Sequence, residues 1–393
     1  MPHAVIDVTI AVPRPLGSGQ RGPLPNGRGT DFLSIKIRFT DDRARNQRIF
    51  QERERGTMKA VQFDQFGEPA DVLRMRDVEP PQPKAGELLV RMLLSPVNPS
   101  DLMTIRGVYG KQPKLPCTPG YEGVGIVEAS GGGLLGKLLV GKRVALLNGI
   151  NGNWQERTTV GAKQAVPLPK SLPSEQGATF FVNPTTAFAM TQRVLAVPAG
   201  DWLIQTAAAS ELGKMVVRLG QRFGFHTLNV VRRAEQAATL KSLGAEAVVA
   251  FDPAQHSADD LRNEVRRIAG ERGVRFAIDC VGGATGSAVV KCLAPGGRML
   301  VYGTLSPEPM SFSPRDLMTP GATLAGFWLA RWLPQQGLLA KIKLIRTVSR
   351  LIQEGVLTSQ IGEVFPMDQI GDAVRAAEAP GRTGKVLLRL ASE

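Results

Sequence analysis

The stretch Asp201–Arg233, DWLIQTAAASELGKMVVRLGQRFGFHTLNVVRR, decides the fold. Trp202–Thr206 is a short β-prone apolar run, and Ala207, Ala208, Ala209 and Ser210 leave room for a close backbone approach. From Leu212 onward Met215, Val216, Leu219 and Phe223 recur at helical spacing, Gly224 breaks the helix, and Thr227–Val231 reads as a second strand. The unit is βαβ, and the N-terminus of such a helix is where a dinucleotide's pyrophosphate sits.

Outward from this unit the alternation continues. EQAATLKSLGA reads as a helix closing on Gly244, AEAVVAF as a strand and LRNEVRRIAGERG as an amphipathic helix. RFAIDCVGG, SAVVKCLAPGG, RMLVYGT and TLAGFWLARW extend the pattern, which predicts a doubly wound parallel sheet. Upstream, the text from Met58 is β-rich: MKAVQF, VLRMRDV and ELLVRMLLSPVN, then VGIVEA and KRVALL around a glycine-rich loop. NPSDLMTIRGVYG predicts a short helix, and SEQGATFFVNPTTAFAMTQRVL a helical segment opening at Ser174. Past Leu333 come the helix LLAKIKLIRTVSRLIQEG and a last strand, GKVLLRL. The expected class is α/β, with a β-rich domain over residues 58–177 and 334–393 and a dinucleotide-binding domain over 178–333. Residues 1–57, rich in proline, glycine and charge, read as a disordered or non-native extension, with translation starting at Met58 as one hypothesis.

The 393 residues suffice for two cores, and 43% apolar with 21% charged residues is the balance of a soluble globular protein. No run of about 18 apolar residues occurs, so no membrane span is expected. Cys117, Cys280 and Cys292 have neither metal nor disulfide spacing, which fits a reducing, cytoplasmic setting. With His3, His226 and His256 they form too small an inventory for a multi-ligand metal site. The net charge of +13 raises nucleic acid, an anionic cofactor or an acidic partner. No nucleic-acid-binding signature accompanies the charge, so nucleic acid is disfavoured.

The nucleotide turn lacks G-x-G-x-x-G and offers A-A-S-E-L-G, with Gly213 at the helix-packing position. The next strand ends in Arg232-Arg233, where an NAD enzyme places an acidic residue on the ribose hydroxyl; cations there favour the 2′-phosphate of NADPH. Tyr109, in the glycine-flanked RGVYG, is a phenol that at neutral pH donates a proton rather than takes one. Such a donor suits protonation of an enolate after hydride reaches a conjugated double bond. A loop tyrosine packing by its ring is the plainer alternative. Asn98 and Asn183 precede prolines, as turn and cap residues do.

From Met58 to its end the chain resembles the zinc-independent medium-chain dehydrogenase/reductase superfamily, and within it the mitochondrial-type trans-2-enoyl-thioester reductases, then the quinone oxidoreductases. NPSDLMTIRGVYG, PGYEGVG, VNPTTAF, LNVVRR, LKSLGAE, DCVGG, VYGTL and GFWLARW carry the resemblance. It implies a GroES-like catalytic domain beside a Rossmann domain, a homodimer formed through TLAGFWL, and fatty acid metabolism. It further implies Tyr109 as proton donor and Asn183 as a cofactor contact. Ala209, Ser210, Glu211 and Leu212 match the pyrophosphate turn, and Arg232 and Arg233 the 2′-phosphate grip. Tyr302, Gly303, Thr304 and Leu305, then Phe327, Trp328 and Leu329, match the nicotinamide side, and Lys385 the C-terminal lysine.

Two departures stand out. Zinc-dependent members carry Gly-His-Glu where this chain has Gly120-Tyr121-Glu122, so no metal is expected. Glu211 stands where the family turn commonly has glycine; either it points outward or it lowers cofactor affinity. The expected reaction is NADPH-dependent reduction of a 2-enoyl thioester. A quinone or alkenal reductase and a non-catalytic NADPH-binding protein remain open. Lys341, Lys343, Arg346 and Arg350 could dock an acidic acyl-carrier protein, or simply form a solvated helix face.

Overall fold

The computed structural model describes residues 56–149, 152–271 and 273–391. The reading of residues 1–57 therefore lies outside the described residues, apart from Gly56 and Thr57. In the β-rich part, β1 (Met58–Gln62) and β2 (Arg74–Val78) pair antiparallel. β3 (Glu87–Pro96) is nearly continuous apolar sequence and is buried along most of its length. The short helix α1 (Pro99–Ile105) follows it, started by Pro99 at the first helical position. β3 pairs antiparallel with β4 (Glu122–Ser130) and with β6 (Arg157–Gly161). β5 (Arg143–Leu147) bridges β4 and β7 (Ala165–Pro167).

Two local expectations need correction. The glycine-rich loop between β4 and β5 contains a helix, Leu134–Leu139, which starts after Gly133 in the left-handed region and buries Leu139. The segment from Ser174 is not one helix. Ser174–Ala178 stops, and α2 (Val182–Ala189) starts afresh because the buried Glu122 carboxylate accepts the N–H groups of Phe181 and Val182 at 2.9 and 2.8 Å.

β8 (Trp202–Gln205), α3 (Glu211–Phe223) and β9 (His226–Val231) form the βαβ unit. β10 (Ala247–Ala250), α4 (Ala258–Ala269), β11 (Val274–Asp279), α5 (Gly283–Val290), β12 (Leu293–Val301) and β13 (Thr323–Gly326) complete a six-stranded sheet in the order β10-β9-β8-β11-β12-β13. All its pairs are parallel. This is the doubly wound order, and its switch point lies between β8 and β11.

After α6 (Leu338–Gln353) the chain returns to the first sheet. β14 (Ile361–Pro366), α7 (Ile370–Glu378) and β15 (Lys385–Arg389) follow, and β15 pairs antiparallel with β3 in the register Leu387↔Pro96. The return places Lys385 on the same wall as residues almost 300 positions earlier. A separate apolar cluster, with Phe181, Phe188, Met215, Phe327 and Leu344, joins α2, α3 and α6.

Candidate active site

A cleft of about 2080 Å³ runs from Tyr109 and Tyr121, past the start of α3, to Arg232. Its floor is the switch point. Thr206, just past β8, donates from Oγ1 to Asp279 Oδ1 at 2.5 Å and accepts the Cys280 N–H at 3.2 Å, tying the ends of β8 and β11 together.

The turn into α3 is tight. Ala207 has φ of 47°, and a side chain at Gly213 would meet the Ala208 carbonyl at 2.3 Å, so the strand and the helix start approach as a dinucleotide turn requires. Ser210 caps the helix, its Oγ accepting from Gly213 N–H at 3.1 Å. Ala209, Ser210, Glu211 and Leu212 all line the cleft. Glu211 does not point outward. Its side chain is buried, 2.6 Å from Lys214 Nζ and accepting the Gln360 N–H at 2.7 Å.

The two arginines approach the cleft from different sides, Arg233 through Gly381, which lines it. Arg232 lines the cleft with a solvent-exposed side chain, its Nε 3.8 Å from Asp252 Oδ2. Arg233 is turned toward Gly381, where an added methyl would lie 3.3 Å from its guanidinium.

On the opposite bank, Tyr302, Gly303, Thr304 and Leu305 follow β12. Tyr302 N–H donates to the Asp279 carbonyl at 2.8 Å and Leu305 N–H to that of Cys280 at 3.0 Å. The Tyr302 hydroxyl is enclosed and meets no hydrogen-bond partner of normal geometry, though the Cys280 thiol lies against it; burial holds it well above the usual phenol range. Phe327, Trp328 and Leu329 all line the cleft, the first and last largely buried and Trp328 partly exposed. Asn183, in the first turn of α2, faces the cleft beside Thr186.

Tyr109 is held by aromatic edges. Trp328 Nε1 donates to its hydroxyl at 2.8 Å, and its ring meets those of Trp328 and Tyr121 edge-on at 5.4 and 6.0 Å. Burial pushes its phenol up to about 12, with the Trp328 hydrogen bond opposing, so the hydroxyl stays protonated at neutral pH. Tyr121 in turn shares a 2.7 Å hydrogen bond with Thr104 Oγ1.

Beneath these aromatics lies a buried polar network whose membership the sequence reading missed, apart from Lys385. Asn98 donates from Nδ2 to Glu122 Oε1 at 3.0 Å and accepts a hydrogen bond from Lys385 Nζ. Asp101 accepts the N–H groups of Asn98 and Tyr121 at 2.8 and 2.9 Å. Burial raises both Asp101, to about 7, and Glu122, while Lys385 opposes each; burial lowers Lys385 in turn. Charged residues in otherwise apolar elements, Asp101 in α1 and Glu122 at the head of β4, were the available signal. Lys385 lines the cleft and is bonded through Nζ to this network.

Two family descriptions match the chain: Alcohol dehydrogenase GroES-like domain over residues 84–170 and Zinc-binding dehydrogenase over residues 212–343. The mitochondrial enoyl-[acyl-carrier-protein] reductase of Rattus norvegicus is 32% identical over 339 residues, covering 85% of this chain and 89% of the relative. A Bacillus thuringiensis structure provisionally described as an NADPH:quinone reductase superposes with a TM-score of 0.78 at 31% identity, over 85% of this chain and 99% of that one. The mitochondrial 2-enoyl thioester reductase Etr1p/Etr2p heterodimer of Candida tropicalis gives 0.72 at 27%, with the same coverages. Etr1p in complex with NADP and crotonyl-CoA gives 0.72 at 28%, again over 85% of this chain and 99% of that one.

The donor set does not fit the zinc that one description names. Among the described residues no cluster of three or more His, Cys, Asp or Glu side chains could hold a metal. Tyr121 and Thr104, which bond to each other, stand in the relevant corner with a single cysteine, Cys117, beside them.

Proposed function

The chain belongs to the medium-chain dehydrogenase/reductase superfamily and is an enoyl-thioester-reductase-like oxidoreductase; from that premise we propose that it reduces the conjugated C=C bond of 2-enoyl thioesters with NADPH, Tyr109 supplying the proton. The observation that carries this reading is a protonated phenol fixed at the cleft wall by the Trp328 indole N–H. A bound NADPH would supply hydride to the substrate's β-carbon. The residues of this chain prepare for the charge that follows. Tyr109 holds its proton on Oη until an enolate α-carbon, a far stronger base than a phenolate, can accept it, directly or through water. The Trp328 Nε1–H then remains against the phenolate oxygen and stabilises it until solvent restores the proton.

Cofactor binding is supported by the turn geometry. Gly213 and the Ala207–Ala209 run allow close backbone approach, the capped α3 start presents its positive end, and Arg232 lies at the far end of the cleft. The choice of NADPH rests on Arg232 and Arg233, and draws support from the NADP-bound Etr1p structure. A carrier-protein partner is supported by α6, where exposed Lys343, Arg346 and Arg350 run beside exposed Leu338, Leu339 and Ile342. Self-association is proposed at β13, the edge strand of the parallel sheet. The higher TM-score to the Bacillus thuringiensis protein favours a second reading, quinone reduction at the same site.

NADPH oxidation with crotonyl-CoA, a longer enoyl thioester and a naphthoquinone separates the two. The expected outcome is enoyl turnover that Tyr109→Phe lowers by about a hundredfold or more. Fast quinone turnover with no enoyl activity, indifferent to Tyr109→Phe, would sink the first reading.

A further inference from the structure

Glu211, Lys214 and Arg218 stand at i, i+3 and i+7 on one face of α3, and that face is turned to the segment 356–360 leading into β14. Arg218 donates to the carbonyls of Val356 and Thr358 at 2.8 and 2.5 Å. Lys214 Nζ lies 2.6 Å from Glu211 Oε1 and 3.1 Å from Gln360 Oε1, while Glu211 Oε2 takes the Gln360 N–H. Gln360 is thus gripped by backbone and side chain at once. Its own carbonyl accepts the Lys385 N–H at 2.8 Å, and Lys385 Nζ reaches Asn98 in the buried network.

The first residue of a helix is where its positive end is strongest, and a carboxylate there competes with a phosphate. Here the competing charge is 7% exposed and already paired by a lysine as deeply buried. A buried pair of this kind is far more sensitive to loss of one member than of both.

We propose that Glu211 and Lys214 are a coupled positioning pair for the dinucleotide site: Lys214 neutralises the carboxylate at the start of α3, and together they pin Gln360 and, through its carbonyl, the Lys385 backbone. The inference rests on the reading that a dinucleotide occupies the cleft. It makes Glu211 compatible with phosphate binding as long as Lys214 is present. Neither residue is catalytic; both act through the α3 terminus and Lys385.

The test is a double-mutant cycle read by NADPH Kd from fluorescence titration, with KM for NADPH and for crotonyl-CoA, kcat and Tm alongside. Lys214→Met should raise the NADPH Kd roughly tenfold, a change of about 1.4 kcal/mol. The double variant Glu211→Gln/Lys214→Met should return to within about threefold of wild type, and the KM for crotonyl-CoA should stay put throughout. Gln360→Ala, at an exposed position that does not endanger folding, should raise the NADPH Kd by about two- to threefold at unchanged Tm. Equal Kd increases in the single and double variants, or a loss of Tm with no change in Kd, would overturn the proposal. If Lys214→Met does not fold, an unchanged Kd in Gln360→Ala overturns it instead. Wild-type protein that does not bind NADPH removes both the cofactor reading and this inference; wild-type binding with an additive cycle removes the inference alone.

Discussion

The two ends of the cleft hold their charges in opposite ways. At the tyrosine end, Asp101, Glu122, Asn98 and Lys385 are each at most 3% exposed and bonded to one another or to backbone N–H groups. At the arginine end, Arg232 is 77% exposed and sits 3.8 Å from a carboxylate. Buried charges are costly unless fully partnered, so the first end is preorganised and intolerant of change. Solvated charges contribute little to stability but attract an anion, so in the proposed function the second end would select the ligand without holding the fold together.

Breaking the buried end should have the largest effect. Glu122→Leu removes the carboxylate that acts most strongly on Lys385 and strips the start of α2 of its acceptor; a loss of about 3–5 kcal/mol is expected in chemical denaturation. A variant as stable as wild type would show that the network carries no such weight.

At the solvated end the prediction concerns selectivity. Arg232→Ala together with Arg233→Ala should raise the KM for NADPH by roughly tenfold or more, from loss of about 1.5–3 kcal/mol of charged hydrogen bonding, and leave NADH nearly unchanged. The structure sharpens this. Arg232 lines the cleft and the Arg233 guanidinium lies beside Gly381, another lining residue, so each single substitution should give part of the change and the pair the whole of it. Equal effects on the two cofactors would mean that the arginines hold no 2′-phosphate.

Between the two ends, Trp328→Phe keeps a ring at the cleft wall but removes the N–H donated to Tyr109. A fall in kcat of about three- to tenfold is expected, from a net hydrogen-bond value of about 0.5–1.5 kcal/mol, with the KM for NADPH little altered.

A pH slope tests the buried end in a second way. Burial raises Asp101 from 3.8 to about 7, so the folded protein holds a proton there that the unfolded chain releases. That contribution is fully present below about pH 4 and is lost as pH rises toward 7. The Tm of Asp101→Asn, relative to wild type, should therefore improve across this interval. A difference that is flat with pH would show that Asp101 titrates as an ordinary carboxyl.

Much of the fold is legible in the amino-acid sequence. The apolar spacing from Leu212 to Phe223 and the stop at Gly224 predict α3 closely, because helical period and a left-handed glycine are local properties. The short strands β6, β7 and β14 and the helix α7 were not legible, since partners distant in sequence define them. The same division runs through the site. Tyr109 and the turn at Ala209–Leu212 announce themselves by flanking glycines and small residues. Asp101 and Glu122 reveal nothing of their roles, because a carboxylate's worth depends on which N–H groups and cations the fold places around it.

Residue order alone determined the βαβ unit and the parallel alternation around it, and singled out Tyr109 in its glycine-flanked loop. All follow from short-range periodicity or from inventory. Tertiary structure decided the approach of Arg233 to Gly381, the buried network under Tyr121, and the turning of Glu211 away from solvent toward Lys214 and Gln360. These depend on contacts between segments up to nearly 300 residues apart, and burial, which sets the strength of each charge, exists only once those segments meet.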